Sequence, residues 1–217
     1  MTVSSTETTR TTPAQAWADM RAGNDRFIAG KPLHPHQDVA MRRSLAAAQG
    51  PRAALFGCAD SRLAAEIIFD VGLGDLFVVR NAGQVIGDSI IGSLEYAVGV
   101  LNVPLIVVLG HDSCGAVQAA IDSQLPDAPP LPHYIDGLVK KIVPAVQRVT
   151  GNRELTNVKQ VDAGFVGREH LRDTVAELLA SSEMISDAVA AGTLAVVGAN
   201  YRLFEGRAET DVVVGTV

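Results

Sequence analysis

Three positions carry side chains suited to holding a soft metal or acting as nucleophiles: Cys58, His111 and Cys114. The last two sit in Gly110-His111-Asp112-Ser113-Cys114-Gly115, which places an imidazole and a thiol three residues apart at the start of a helix. Zinc fits this set best. It takes thiolate and imidazole ligands in a tetrahedron, and two Cys with one His leave the fourth position for water or substrate, as catalytic sites do and closed structural sites do not. The H-x-x-C tetrapeptide alone also fits two buried cysteines beside a hydrogen-bonded core histidine. A Cys58–Cys114 disulfide is a further reading, disfavoured in a cytosolic setting. Close by, Asp60 and Arg62 lie two residues apart, within reach of a charge-assisted, bidentate pair or of a plain surface pair.

The elements that must position these residues alternate between helical and strand patterns, the mark of an α/β layer fold. Thr12 followed by Pro13 reads as N-cap and first helical position of a helix running to about residue 29. Trp17, Met20, Phe27 and Ile28 form its rough apolar stripe, and Gly30, Pro32 and Pro35 follow it, so residues 13–36 are expected to form a helical arm set apart from the body. Strands are expected over 53–57, 76–79, 105–109 and 194–198, with a last one over 208–214 that turns back at Glu205 and Gly206. Helices are expected over 64–69, from an Asp88 cap to residue 101, from about Cys114, over 134–149 after a Pro-rich break at 126–132, and over 162–179. The fold class is therefore α/β: a central four-stranded parallel sheet of order 2-1-3-4, an antiparallel edge strand, flanking helices and the N-terminal arm. In that order the direction of strand addition reverses between the strands that carry Cys58 and His111. The crevice outside their carboxyl ends is where such sheets bind ligands.

Composition narrows the class. A chain of 217 residues is one domain, expected over 13–217, preceded by a disordered tail over 1–12 rich in Ser and Thr. With 47% hydrophobic and only 19% charged residues it can bury a large aliphatic core. Its 18 Lys and Arg against 24 Asp and Glu give a net charge of −6, which argues against a nucleic-acid surface. Two cysteines are too few for a secreted disulfide scaffold. The most apolar stretch, 97–110, is interrupted by Asn102 and Pro104 and falls short of the roughly 20 residues that cross a bilayer. A cytoplasmic protein without a membrane partner is expected. Gly72 and Gly74 lack the continuation of a dinucleotide loop.

Cys58-Ala59-Asp60-Ser61-Arg62, followed after 52 residues (59–110) by His111-Asp112-Ser113-Cys114, resembles the β-class carbonic anhydrases, whose pattern is C-x-D-x-R and then H-x-x-C. The resemblance covers roughly residues 17–214. It takes in Gly23-Asn24 with Arg26-Phe27, Gly72 to Asp75, Arg80-Asn81-Ala82-Gly83 and Ser93-Leu94-Glu95-Tyr96-Ala97. It implies that Cys58, His111 and Cys114 bind one Zn²⁺ per subunit and that zinc-bound hydroxide hydrates carbon dioxide reversibly to bicarbonate. It assigns Asp60, paired with Arg62, to orienting that hydroxide, or in some members to closing the site at low pH as a fourth ligand. Two thiolates cancel the charge of the zinc ion, so activity is expected to rise through the alkaline side of neutrality.

The same resemblance implies a narrow pocket. Gln49 would hydrogen-bond substrate from across a dimer interface, Phe77, Ala82 and Tyr96 would shape the walls, and Gly83 and Gly115 would allow close backbone approach. It further implies a homodimer, often paired into a tetramer. Relatives with a noncatalytic bicarbonate site carry tryptophan where this chain has Leu55, although Tyr201 matches a tyrosine of that site. Carbonyl sulfide or carbon disulfide would suit the same metal chemistry, and a zinc-holding protein without turnover is the alternative of another class. His34 and His36 read as a solvated loop, and His133 and His170 as structural or exposed.

Overall fold

Aliphatic runs bounded by proline and glycine become the middle of one sheet. The structure, a computed structural model, describes residues 11–151 and 153–217, so most of the expected tail, residues 1–10, lies outside the described residues. In chain order the elements are α1 (Pro13–Ile28), α2 (Val39–Ser44), β1 (Ala53–Cys58), α3 (Ala65–Ile68), β2 (Leu76–Asn81), α4 (Asp88–Gly99), β3 (Leu105–His111), α5 (Gly115–Asp122), α6 (His133–Lys140), α7 (Val143–Thr150), α8 (Ala163–Ser181), α9 (Glu183–Ala190), β4 (Ala195–Arg202) and β5 (Arg207–Val214). A short 3₁₀ turn over Ala82–Gln84 follows β2.

The sheet order is β2-β1-β3-β4-β5. The first four strands are parallel and β5 runs antiparallel to β4, as the alternation of patterns predicts. Every residue of β1 and β3 is buried, because helices cover both faces. Side chains alternate with the pleat: Ala53, Leu55, Leu105, Val107, Ala195 and Val197 join one core layer, and Ala54, Phe56, Ile106, Val108 and Val196 the other. β1 to β4 all run beyond their expected carboxyl ends, so Cys58, Asn81 and His111 are strand residues whose positions the ladder sets.

Three expectations need correction. The N-terminal helix does not stand apart: α1 buries Ala16, Trp17 and Met20 in the core of its own chain. Its buried Asn24 donates from Nδ2 to the carbonyls of Ile68 (3.0 Å) and Gly206 (2.8 Å) and accepts the Ala208 amide (2.9 Å). A side chain on Gly23 would put its Cβ 1.8 Å from the Phe69 carbonyl oxygen, so glycine is what lets α1 approach so closely. The helix expected over 134–149 is two, α6 and α7, because Pro144 has no amide and its ring would clash with the carbonyl four residues earlier. Gly87, not Asp88, is the N-cap of α4, with Asp88 in its first turn. Two helices were not expected, α2, capped by Asp38 and with no buried residue, and α9, capped by Ser182. Among the described residues no helix is long and apolar enough to cross a membrane.

Candidate metal centre

From β1 the chain steps outward to β2 and then returns past β1 to lay down β3. The loops after β1 and β3 therefore leave in opposite directions and open a crevice between them. Cys58 ends β1, His111 ends β3, and Cys114 is the N-cap residue of α5. Their donor atoms all lie within 4.8 Å of one another. All three are buried, with exposures of 5%, 3% and 6%.

Hydrogen bonding orients this set. His111 Nδ1 donates to the Asp112 carbonyl at 2.8 Å, which leaves Nε2 with its lone pair inward. That buried Nε2 has no hydrogen-bond partner. An unpartnered imidazole nitrogen beside two thiols is the chemistry of a metal site. A tetrahedral zinc ion with Zn–S bonds of about 2.3 Å would hold two sulfurs about 3.8 Å apart, which fits donors that all lie within 4.8 Å of one another. The thiols already behave as a pair. The Cys114 thiol hydrogen-bonds Cys58 and, against the opposing effect of burial, the facing His111 ring and then the Gly83 and Asp60 amides add to it, bringing the Cys58 thiol down to about 4. Cys114 is pushed up, by its bond to Cys58 and by burial. The pair thus sheds one proton readily and holds the other, which a cation would displace.

The loop after β1 carries the second set of groups. Arg62 donates from Nε to Asp60 Oδ1 at 2.9 Å and from a terminal nitrogen to Oδ2 at 2.7 Å, and its amide reaches Oδ1 at 3.0 Å. This bidentate clamp holds the Asp60 carboxyl well below the usual carboxylate range, against the opposing effect of burial. Arg62 also reaches the Ser113 carbonyl at 3.3 Å and so ties the β1 loop to the segment between His111 and Cys114. Arg80, on β2, donates to the carbonyls of Cys58 (3.0 Å) and Asp60 (2.6 Å) and fixes the same loop from the other side. Beside it the Gly83 amide donates to Cys58 Sγ at 3.4 Å.

A family model described as carbonic anhydrase matches residues 53–208. Carbonic anhydrase 2 of Mycobacterium tuberculosis is 52% identical over 203 residues, covering 91% of this chain and 92% of its own. The carbonic anhydrase of Mycolicibacterium smegmatis is 48% identical over 198 residues, covering 91% and 92%. A solved structure of a tetrameric beta-carbonic anhydrase from Sordaria macrospora shares the fold, with a TM-score of 0.69 at 24% identity over 87% of this chain and 93% of that one. The chain belongs to the β-carbonic anhydrase family. Enzymes of this family are lyases that hydrate carbon dioxide, and this chain is one of them.

In this carbonic anhydrase the expected pocket residues divide into two groups. Ala82 and Gly83 follow β2 directly, and Gly83, with φ +77°, lies at the candidate metal centre with its amide on Cys58 Sγ. A Cβ there would meet Ala116 Cβ at 2.8 Å. Gly115, by contrast, is exposed and a Cβ on it would meet nothing within 4 Å, so close approach within the chain does not explain it. Gln49, Phe77 and Tyr96 are not brought to the centre by their own chain. Gln49 is exposed and precedes the amino end of β1, whereas Cys58 ends that strand about 17 Å away along it. Phe77 pairs in register with Ala54, four residues before Cys58, and its ring packs on Tyr96 at 6.1 Å between centroids. Tyr96 is 46% exposed.

Leu55 is fully buried in the core layer that also holds Tyr201. His36 is not simply solvated: its Nδ1 lies 2.9 Å from Asp75 Oδ2. His133 is exposed at the start of α6. His170 is buried on α8, and its Nε2 lies 2.7 Å from the Gly83 carbonyl oxygen. Sequence reasoning placed Arg80 at the carboxyl end of the second strand but gave it no role, and it missed His170. Arg80 stands next to the strand end that the pattern marks. His170 is 87 residues from its partner and carries no local signal.

Proposed function

We propose that this carbonic anhydrase converts carbon dioxide and water to bicarbonate and a proton, reversibly, with zinc held by Cys58, His111 and Cys114. The observation that carries the ligand assignment is the convergence of two thiols on a buried imidazole nitrogen that has no other partner. Bound there, zinc would act as a Lewis acid that lets water ionise near neutral pH. The remaining work falls to the chain. His111 is held in one tautomer by Asp112, so its Nε2 faces the ligand position without reorganising. Asp60 stays ionised and is fixed by Arg62, so it can only accept a hydrogen bond. Accepting one from the attacking oxygen turns a lone pair of that oxygen toward the substrate carbon. The Cys58 thiolate is stabilised by the Gly83 amide, and the loop bearing it is clamped by Arg80.

The pocket walls call for a second copy. Gln49 before β1, Phe77 on the half-buried β2, and Tyr96 on α4 against it, would reach a substrate only at the centre of a partner subunit. A homodimer is therefore the proposed unit, and the tetrameric assembly described for the Sordaria macrospora protein is consistent with dimers pairing further. A reducing cytoplasm suits two adjacent free thiols. Stopped-flow hydration assays on the zinc-loaded protein and on His111→Ala test the reading. Turnover by the first and its loss in the second, with zinc content reduced, support it. Equal turnover in both would overturn the ligand assignment.

A further inference from the structure

The turn that follows β2 is conformationally costly and held from two sides. Gly83 has φ +77° and Gln84 φ +40°, so a left-handed pair includes a residue that is not glycine. From below, the Asn81 side chain brackets the turn, donating to the Val85 carbonyl at 2.7 Å and accepting the Val85 amide at 3.0 Å. From α8, His170 Nε2 lies 2.7 Å from the Gly83 carbonyl oxygen. A carbonyl can only accept, so the proton is on Nε2. Thr174, one turn further along α8, lies 3.3 Å from the Gln84 carbonyl, but its single hydroxyl proton has a nearer acceptor in the His170 carbonyl at 2.8 Å. His170 is therefore the firm latch.

The latch is bought with unsatisfied groups. Among the described residues three buried side-chain polar atoms have no partner: His111 Nε2, His170 Nδ1 and Gln84 Oε1. The first faces the metal position, and the other two belong to the latch and to the turn it holds. A position needed only to fill space would be better served by an apolar side chain, which leaves no orphan nitrogen. What this position gains from imidazole is the bond to Gly83. At the other end of the same residue the Gly83 amide points at Cys58 Sγ, 3.4 Å away. A hydrogen bond to a metal thiolate draws electron density from sulfur, and partners beyond the ligands tune metal sites in this way.

We propose that His170 is a positioning residue for the metal centre: by fixing the Gly83 carbonyl it holds the left-handed turn so that the Gly83 amide stays aimed at Cys58 Sγ, and so sets how strongly that sulfur donates to the metal. The inference rests on Cys58 being a metal ligand. It is tested with cobalt(II) in place of zinc, using the near-ultraviolet sulfur-to-cobalt charge-transfer band and the visible bands that report four-coordination. In His170→Leu the charge-transfer band should move to longer wavelength while the visible bands keep their intensity, because the sulfur becomes richer in electrons. Zinc affinity, measured by competition with a chelator, should fall about 10- to 100-fold. His170→Gln, whose side-chain amide can donate to the same carbonyl, should restore both. His170→Met, which fills the space without a donor, replaces the leucine variant if that one does not fold. A wild-type band position in the donorless variants, or the same displacement with Gln as with Leu or Met, would overturn the proposal. Loss of stability alone would not move the band. Wild-type protein that binds cobalt with no sulfur charge-transfer band would instead overturn the ligand reading, and this proposal with it.

Discussion

Replacing Gly83 by alanine is the sharpest test of how the turn beside Cys58 is built. Two costs add. An L side chain at φ +77° is strained by about 1–2 kcal/mol. The new methyl would lie 2.8 Å from Ala116 Cβ and 3.0 Å from Ile142 Cδ1, and such overpacking costs about 1–3 kcal/mol. The smaller entropy of an unfolded chain with alanine returns about 0.4–1 kcal/mol. The net loss is about 1–5 kcal/mol. Gly115→Ala is the matched control, since its Cβ would meet nothing within 4 Å and its φ is not positive. The assay is urea denaturation of both metal-free variants at one protomer concentration, because assembly also shifts apparent stability. Gly83→Ala should unfold at clearly lower urea than wild type, and Gly115→Ala should match it or gain up to about 1 kcal/mol, since only the unfolded-chain entropy changes there. If the two variants were equally stable, the steric account of the turn would be wrong. Zinc affinity should fall in Gly83→Ala as well, because relief of the clash moves either the Cys58-facing amide or the start of α5, which follows Cys114 directly.

Asp60→Ala should keep one zinc per chain yet lose hydration activity by a factor of about 100 or more, if the carboxylate orients the reacting oxygen as proposed; full activity in stopped-flow assays would show the role to be wrong. In the metal-free protein the Cys58 thiol is lowered from its ordinary 9.0 to about 4. Its contribution to stability is therefore complete above the ordinary value and fades as pH falls toward 4. Ultraviolet absorbance should show one thiolate per chain from pH 8 to 5, lost near 4, and a thiolate signal that appears only above pH 8 would contradict this. Asn24→Ala strands two carbonyls and one amide that the side chain now satisfies, so thermal unfolding should report a loss of about 2–4 kcal/mol; an unchanged transition would mean that α1 is not anchored to its own body.

The sheet and the candidate ligands were legible because they share one signal. Five aliphatic residues end at Gly110, and the next residue is His111. A strand that must be buried on both faces announces itself in composition, and the residues that break the run stand at its carboxyl end, where the crevice forms. The α6–α7 break was not read, because one apolar stripe over 134–149 masked Pro144. Nor was the attachment of α1 legible. It depends on Asn24 reaching backbone groups at positions 68, 206 and 208, and on Gly23 lying against Phe69, contacts that no local pattern encodes. The bond between His170 and Gly83 is hidden for the same reason. Gln49, Phe77 and Tyr96 illustrate another limit: one chain holds them away from its own metal position, so the part proposed for them would need a second copy.

Titrating zinc into metal-free protein while following carbon dioxide hydration tests the central claim most directly. The rate should be negligible at the start, rise in proportion to added zinc and level off at one equivalent per chain, as a single site formed by Cys58, His111 and Cys114 requires. Activity in the metal-free protein, or a rate that stays flat as zinc binds, would contradict it.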